Sequence, residues 1–145
     1  MEWLPFDGTI LASVLLKVCI AMLLSLPVAW EREKATRSMG LRTFPLVAVA
    51  SCCYVLIALS VVGPGSDAQA RIIQGLMTGI GFIGGGAILK HGDSVRGTAT
   101  AASIWVTGAV GASVGYALYE IATLLAVINV LALWVLTRVE ERMSR

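Results

Sequence analysis

Charge is scarce in this chain: Asp, Glu, Lys and Arg together make up 14% of its 145 residues, against about a quarter in soluble domains. With 57% hydrophobic residues and a mean hydropathy of +0.84, it lacks the polar surface that a water-soluble single domain needs. Basic surface interleaved with aromatics is missing too, so the net charge of +2 does not point to nucleic acid. The three cysteines, Cys19, Cys52 and Cys53, show no paired spacing and no neighbouring histidine. A zinc or disulfide framework is therefore unsupported, and they read as small apolar packing residues. His91 stands beside Asp93 in a short loop, HGDSVRG, which is a weak metal signal. No nucleophile, base and orienting group come together, so neither an enzyme nor a cofactor site is expected. Long linkers, low-complexity tracts and internal repeats are absent, and one domain accounts for residues 1–145.

What is present is long apolar runs. Five are long enough to cross about 30 Å of hydrocarbon at ~1.5 Å per residue: Thr9 to Trp30, Phe44 to Val62, Ile72 to Leu89, Thr98 to Ala117 and Glu120 to Thr137. Because the fourth and fifth are nearly continuous, the basic residues decide the count. Arg32, Lys34, Arg37 and Arg42 follow the first run, Lys90 and Arg96 the third, and Arg138, Arg142 and Arg145 the fifth. With five spans all nine fall on one side, which is then cytoplasmic. The expected fold is an all-α polytopic membrane bundle of five transmembrane helices in the lipid bilayer, N-terminus outside and C-terminus cytoplasmic. Glu2 and Asp7 precede the first run where a cleaved signal would carry basic residues, so that run is expected to be retained.

The third run, RIIQGLMTGIGFIGGGAIL from Arg71 to Leu89, is the unusual one. At 3.6 residues per turn, Arg71, Gln74, Thr78, Gly81 and Gly85 form one stripe, and Gly75, Gly79 and Gly86 a second. Each glycine in a helix interior costs roughly 1 kcal/mol relative to alanine, so close contact with neighbouring helices or a ligand is expected in return. Gly84 to Gly86 form a possible break in the helix. In the fourth run Thr100, Ser103, Thr107 and Gly111 share a face, Gly108 and Gly115 lie at its edge, and Trp105 points away. Such small, hydroxyl-bearing faces let membrane helices approach and hydrogen-bond. The first stripe of the third run is accordingly expected to meet the hydroxyl face of the fourth.

Polar groups inside the other runs are few. Lys17 begins ~12 Å deep by the helix rise and either snorkels to the outer interface or holds an anion, a carbonyl end or a proton path. Lys17, Gly81, Thr107 and Asn129 reach a common depth, a candidate midplane set. Pro27 invites a kink near the inner end of the first run, Gly40 breaks the helix that follows, and Pro45 falls in the first turn of the second run. Glu31, Arg32, Glu33, Lys34 and Arg37 have the spacing of helical ion pairs. Ser66 and Gln69 fit a capping box, Asp67 lies in the first helical turn, and Asp67 and Arg71 are four apart and able to pair.

These pieces, taken in order, resemble the membrane domain of the MgtC/SapB family over nearly the full length. The matching residues are Glu31-Arg32-Glu33, Gly40-Leu41-Arg42-Thr43, Asp67 with Arg71, GIGFIGGG from Gly79 to Gly86, and Val95-Arg96-Gly97 followed by Thr100-Ala101-Ala102-Ser103-Ile104-Trp105. Lys17 falls where the family often has a basic residue. Thr98-Ala99 stands where many members read Leu-Thr, and many members continue into a soluble domain beyond the point where this sequence ends. The resemblance implies a bacterial inner-membrane protein linked to magnesium limitation, acid stress or virulence. For the best-known member it implies the F-type ATP synthase as partner, with direct magnesium transport doubtful. The residues agree on magnesium, because Mg²⁺ asks for carboxylate oxygens and the acidic groups here lie outside the hydrocarbon.

Two functions follow as expectations. One is a homo-oligomeric, membrane-embedded regulator acting through helix contacts, with Gly75, Gly79, Gly86, Gly108, Gly111 and Gly115 as packing residues. The other is a small-solute or ion transporter, its site drawn from Lys17, Asp67, Arg71, Gln74, Thr78, Gly81, Gly85, Thr100, Ser103, Thr107 and Asn129. Glu31, Arg32, Glu33, Arg42 and Arg96 form the cytoplasmic motif in either case.

Overall fold

A computed structural model describes residues 7–36, 39–62, 65–92 and 94–143; Glu2, Arg37, Asp93 and Arg145 lie outside the described residues, as does the side chain of His91. Among the described residues five helices follow one another: α1 (Gly8–Thr36), α2 (Thr43–Val62), α3 (Asp67–Gly86), α4 (Thr98–Gly115) and α5 (Tyr119–Met143). Three of them, α1, α2 and α5, are long and apolar enough to cross a membrane. α3 and α4, richer in small and polar residues, are not among these three. Among the described residues, the one departure from an all-α chain is a hairpin between α3 and α4. There β1 (Leu89–His91) pairs antiparallel with β2 (Ser94–Arg96), Lys90 opposite Val95.

Local chemistry sets the helix ends. Asp7 caps α1: its carboxylate accepts from the Thr9 amide at 2.8 Å and the Thr9 hydroxyl at 2.7 Å. These bonds hold its carboxyl below the usual aspartate value. After α1 the chain turns at Gly40, where a side chain would run into the backbone of Glu33. The Glu33 carboxylate accepts from the Leu41 amide at 3.1 Å, while the Gly40 carbonyl accepts from the Thr43 and Phe44 amides that start α2. Pro45, third residue of α2, occupies the first turn as expected. The glycine triplet does not interrupt α3. The helix runs to Gly86 and closes with three-residue bonds from Ala87 to Gly84 and from Ile88 to Gly85. Gly97, at φ +89, turns the hairpin into α4, and a side chain there would overlap the Ala87 carbonyl.

Two apolar clusters show how the helices line up. Val28, Phe44, Ala87, Ile104 and Leu133 gather at one end. This is the basic end, which carries Lys34, Arg42, Lys90, Arg96, Arg138 and Arg142. Ala21, Cys52, Val110, Val114 and Ala122 gather toward the opposite end.

The centre of the bundle is α4, which packs against every other helix and buries residues all round, including Ile104, Val110 and Val114. The glycines that permit close approach are on this helix. A side chain at Gly111 would overlap the Ala48 carbonyl of α2, one at Gly115 would press on Val55, and one at Gly108 would overlap Ile80 of α3. By contrast α3 lies at the edge and buries only Gln69, Ile80 and Gly84.

Candidate functional site

Starting from the predicted polar residues, the Lys17 ammonium donates to the Gly115 carbonyl at 3.1 Å. That carbonyl is among the last of α4 and has no partner within its own helix. Of the readings open for Lys17, the structure therefore realises the one in which it holds a carbonyl end.

Asn129 meets two members of the hydroxyl face of α4. Its side-chain carbonyl accepts from the Ser103 hydroxyl at 2.7 Å, and its amide nitrogen donates to the Ser103 carbonyl at 3.2 Å and to the Thr107 hydroxyl oxygen at 3.3 Å. The Thr107 hydroxyl in turn donates to the Ser103 carbonyl at 2.8 Å. Ser103, Thr107, Asn129 and neighbouring Thr100 are all buried. Every polar atom of the Asn129 side chain is engaged, so this cluster is a closed interhelical lock.

The midplane set is consequently not assembled. Thr107 and Asn129 join each other, Lys17 binds the end of α4, and Gly81 faces away with open space where its side chain would be. The expected match between the first stripe of α3 and the hydroxyl face of α4 is also corrected. Arg71, Gln74, Thr78, Gly81 and Gly85 are exposed, and the Thr78 hydroxyl donates within its own helix to the Gln74 carbonyl. α3 instead meets α4 through Ile80 and Gly84, where an added Cβ would come 3.2 Å from the Ala101 carbonyl oxygen. The physical reason is bulk: burying Ile80 removes more apolar surface than burying a stripe of Thr and Gly. Asp67 and Arg71 are both exposed, and among the described residues no ion pair joins them.

Five glycines of α3, Gly75, Gly79, Gly81, Gly85 and Gly86, have no atom within 4 Å of where a side chain would begin. Gly75 and Gly79 form one wall of a groove of about 420 Å³ against α2, whose opposite wall includes Ala50, Ser51 and Tyr54. A second groove, about 210 Å³, runs between α3 and α4 past Met77, Trp105 and Tyr116. The face of α3 is thus uncovered along its length.

At the basic end Arg32 is buried and Glu31 half-buried; Arg42 and Arg96 are exposed. Glu33 serves the Gly40 turn. Of the family-motif residues of the first loop, Glu33 and Gly40 shape the turn itself.

One polar link was missed from the sequence. Gln69 is buried, accepts from the Gly65 amide at 2.7 Å and donates to the Tyr116 hydroxyl at 2.6 Å, tying the start of α3 to the end of α4. Its own amide donates to the Ser66 hydroxyl at 3.2 Å, which is the forward half of the expected capping box. The return bond goes to Gly65. The readable signal was that Gln69 and Tyr116 occupy the same end of two antiparallel neighbours.

A family model described as the MgtC family matches residues 18–142. Among curated proteins, SrpB of Synechococcus elongatus is 34% identical over 117 residues, 72% of this chain and 64% of its own. YhiD of Escherichia coli K12, named a putative magnesium transporter, is 31% identical over 139 residues, 91% of this chain and 64% of its own. MgtC of Salmonella typhimurium is 31% identical over 131 residues, 90% of this chain and 55% of its own. The chain thus spans between half and two thirds of these relatives' lengths. No solved structure matches it significantly.

Proposed function

The chain belongs to the MgtC family and is a helical membrane protein, and from that premise we propose that it is a non-enzymatic regulator of the bacterial inner membrane. It acts by laying the open face of α3 against a second copy of itself or a partner complex such as the F-type ATP synthase, in cells adapting to low magnesium, acid or a host. The observation that carries this reading is the contrast between glycines. Those of α4 are filled by neighbouring helices, whereas Gly75, Gly79, Gly81 and Gly85 of α3 keep the backbone open to whatever lies beside it. Small residues on a membrane helix permit backbone-to-backbone packing with another helix.

Crosslinking from single cysteines at Gly79 and Gly85 in native membranes tests it. Size-resolved adducts are expected, and Gly75→Leu, on the stripe of Gly79, and Gly81→Leu, on the stripe of Gly85, remove them. A protein that stays monomeric and partnerless at both positions overturns the reading.

A second reading, a magnesium or other small-ion transporter, is favoured by the α2–α3 groove, where Ser51 faces the glycine wall, and by the name carried by the Escherichia coli relative. Against it, the buried Asn129 cluster is closed upon itself. Purified protein in liposomes decides: flux above empty liposomes that Gly85→Leu abolishes supports transport, and no flux of cations, protons or anions excludes it.

A further inference from the structure

α1 and α5 run the same way and pack side by side. Ala21 shares a cluster with Ala122 and Ala126, and Val28 shares one with Leu133. Trp30 follows Val28 by two residues and Trp134 follows Leu133 by one; about a turn beyond them come Lys34 and Arg138, at the same end of the two helices. Between the two helices, on the bundle's outer surface, lies an apolar groove of about 280 Å³ lined by Leu23, Leu24, Pro27, Ala126, Val127 and Val130. Helical periodicity carries both walls on to the basic end. Trp30 is seven residues after Leu23 and Lys34 seven after Pro27, while Trp134 is seven after Val127 and Arg138 four further on.

At that end each cation stacks on its indole. The Lys34 ammonium lies 5.2 Å from the Trp30 ring centroid and the Arg138 guanidinium 3.9 Å from that of Trp134. Both indoles remain about half exposed, and indoles favour the headgroup level of a bilayer.

We propose that this face is a binding site for an anionic phospholipid, with an acyl chain in the α1–α5 groove and the headgroup phosphate between Lys34 and Arg138. Apart from Thr123 the groove is lined by apolar side chains, and its open side lies among exposed Leu16, Leu23 and Leu131, the surface that meets lipid. Its basic end presents two cations already ordered by their indoles, one of them a guanidinium whose planar fork fits phosphate oxygens. Basic pockets at the ends of membrane helices hold anionic headgroups in this way. Glu31, three residues before Lys34, is half-buried. A second copy of the chain is the poorer occupant, because a symmetric contact through this face would set Lys34 and Arg138 against their own counterparts.

Native mass spectrometry of the detergent-extracted protein, supplied with phosphatidylglycerol or phosphatidylcholine of identical acyl chains, tests the site. Phosphatidylglycerol should be retained better by a factor on the order of thirty, from two basic residues beside one anionic headgroup. Lys34→Gln with Arg138→Gln should bring it down to the phosphatidylcholine level. Val127→Trp, which fills the groove and leaves both cations in place, should lower retention of both lipids. Equal retention of the two lipids by the unaltered protein, or undiminished phosphatidylglycerol in the double variant with its helical content intact, overturns the proposal. Undiminished retention in Val127→Trp overturns the groove as the acyl seat.

Discussion

The Lys17 ammonium and the Gly115 carbonyl, 3.1 Å apart and 98 residues distant in sequence, tie the first helix to the end of the fourth. A hydrogen bond from a charged donor to a helix-end carbonyl is worth about 1.5–3 kcal/mol, and leaving that carbonyl without a partner carries its own cost. Lys17→Met should therefore destabilise the folded protein by roughly 2 kcal/mol, read as an earlier midpoint when a mild-detergent solution is titrated with a denaturing one. Lys17→Arg, which keeps a donor on a long stem, should recover most of the loss. A Lys17→Met protein as stable as the original would show the contact to be energetically idle.

Asn129 is held by Ser103 and Thr107. Interhelical bonds in bilayers average about 0.6 kcal/mol and reach about 1.7. Asn129→Leu removes all three contacts and should cost roughly 1–2 kcal/mol. In a double-mutant cycle with Ser103→Ala the two losses should fall short of adding, because both delete the same bond. Full additivity would place Asn129 elsewhere.

Ala117 joins α4 to α5 at φ 59, in the left-handed region. The Leu118 amide donates to the Ser113 carbonyl at 2.8 Å and the Ala117 amide to the Val114 carbonyl at 2.9 Å, the pattern of a helix end that ordinarily takes glycine. Ala117→Gly should relieve the strain and stabilise by about 0.5–1 kcal/mol. Its opposite, Ala117→Val, should destabilise, since branching at Cβ worsens the same clash. Thermal unfolding in detergent, followed by loss of helical signal, reads both.

The local punctuation of this fold was legible because each device acts over a few residues. Ser66 with Gln69, Gly40 between the first two helices and Pro45 in a first turn all announce themselves through neighbouring backbone groups. Which face of a helix turns inward was not legible where small residues occupy several faces. Periodicity grouped Arg71, Gln74, Thr78, Gly81 and Gly85 correctly, yet a stripe without bulk looks the same whether a neighbour fills it or nothing does. The hydroxyl face of α4 was found, but its partner was misjudged. A helix buried all round has no single partner, and Ser103 went to α5 while Gly111, on the same face, went to α2. For Lys17 a carbonyl end was among the readings the sequence offered, but which carbonyl was not legible, because a backbone acceptor leaves no mark in the sequence.

That ambiguity yields the sharpest prediction, because the same substitution should change sign between two helices. At Gly111 an added Cβ overlaps the Ala48 carbonyl, so α2 and α4 must separate. Overpacking of this kind costs about 1–3 kcal/mol, and Gly111→Ala should destabilise by at least that much, since backbone and not a flexible side chain stands in the way. At Gly81 the same Cβ meets nothing within 4 Å, and the helix gains what glycine withheld, up to about 1 kcal/mol. Gly81→Ala should leave the isolated protein as stable as before or more so. The measurement is a pair of unfolding midpoints in detergent, under conditions where the protein is monomeric. Destabilisation by Gly81→Ala as large as that by Gly111→Ala would mean that the face of α3 is covered within the chain, and the regulator reading built on its openness would fall with it.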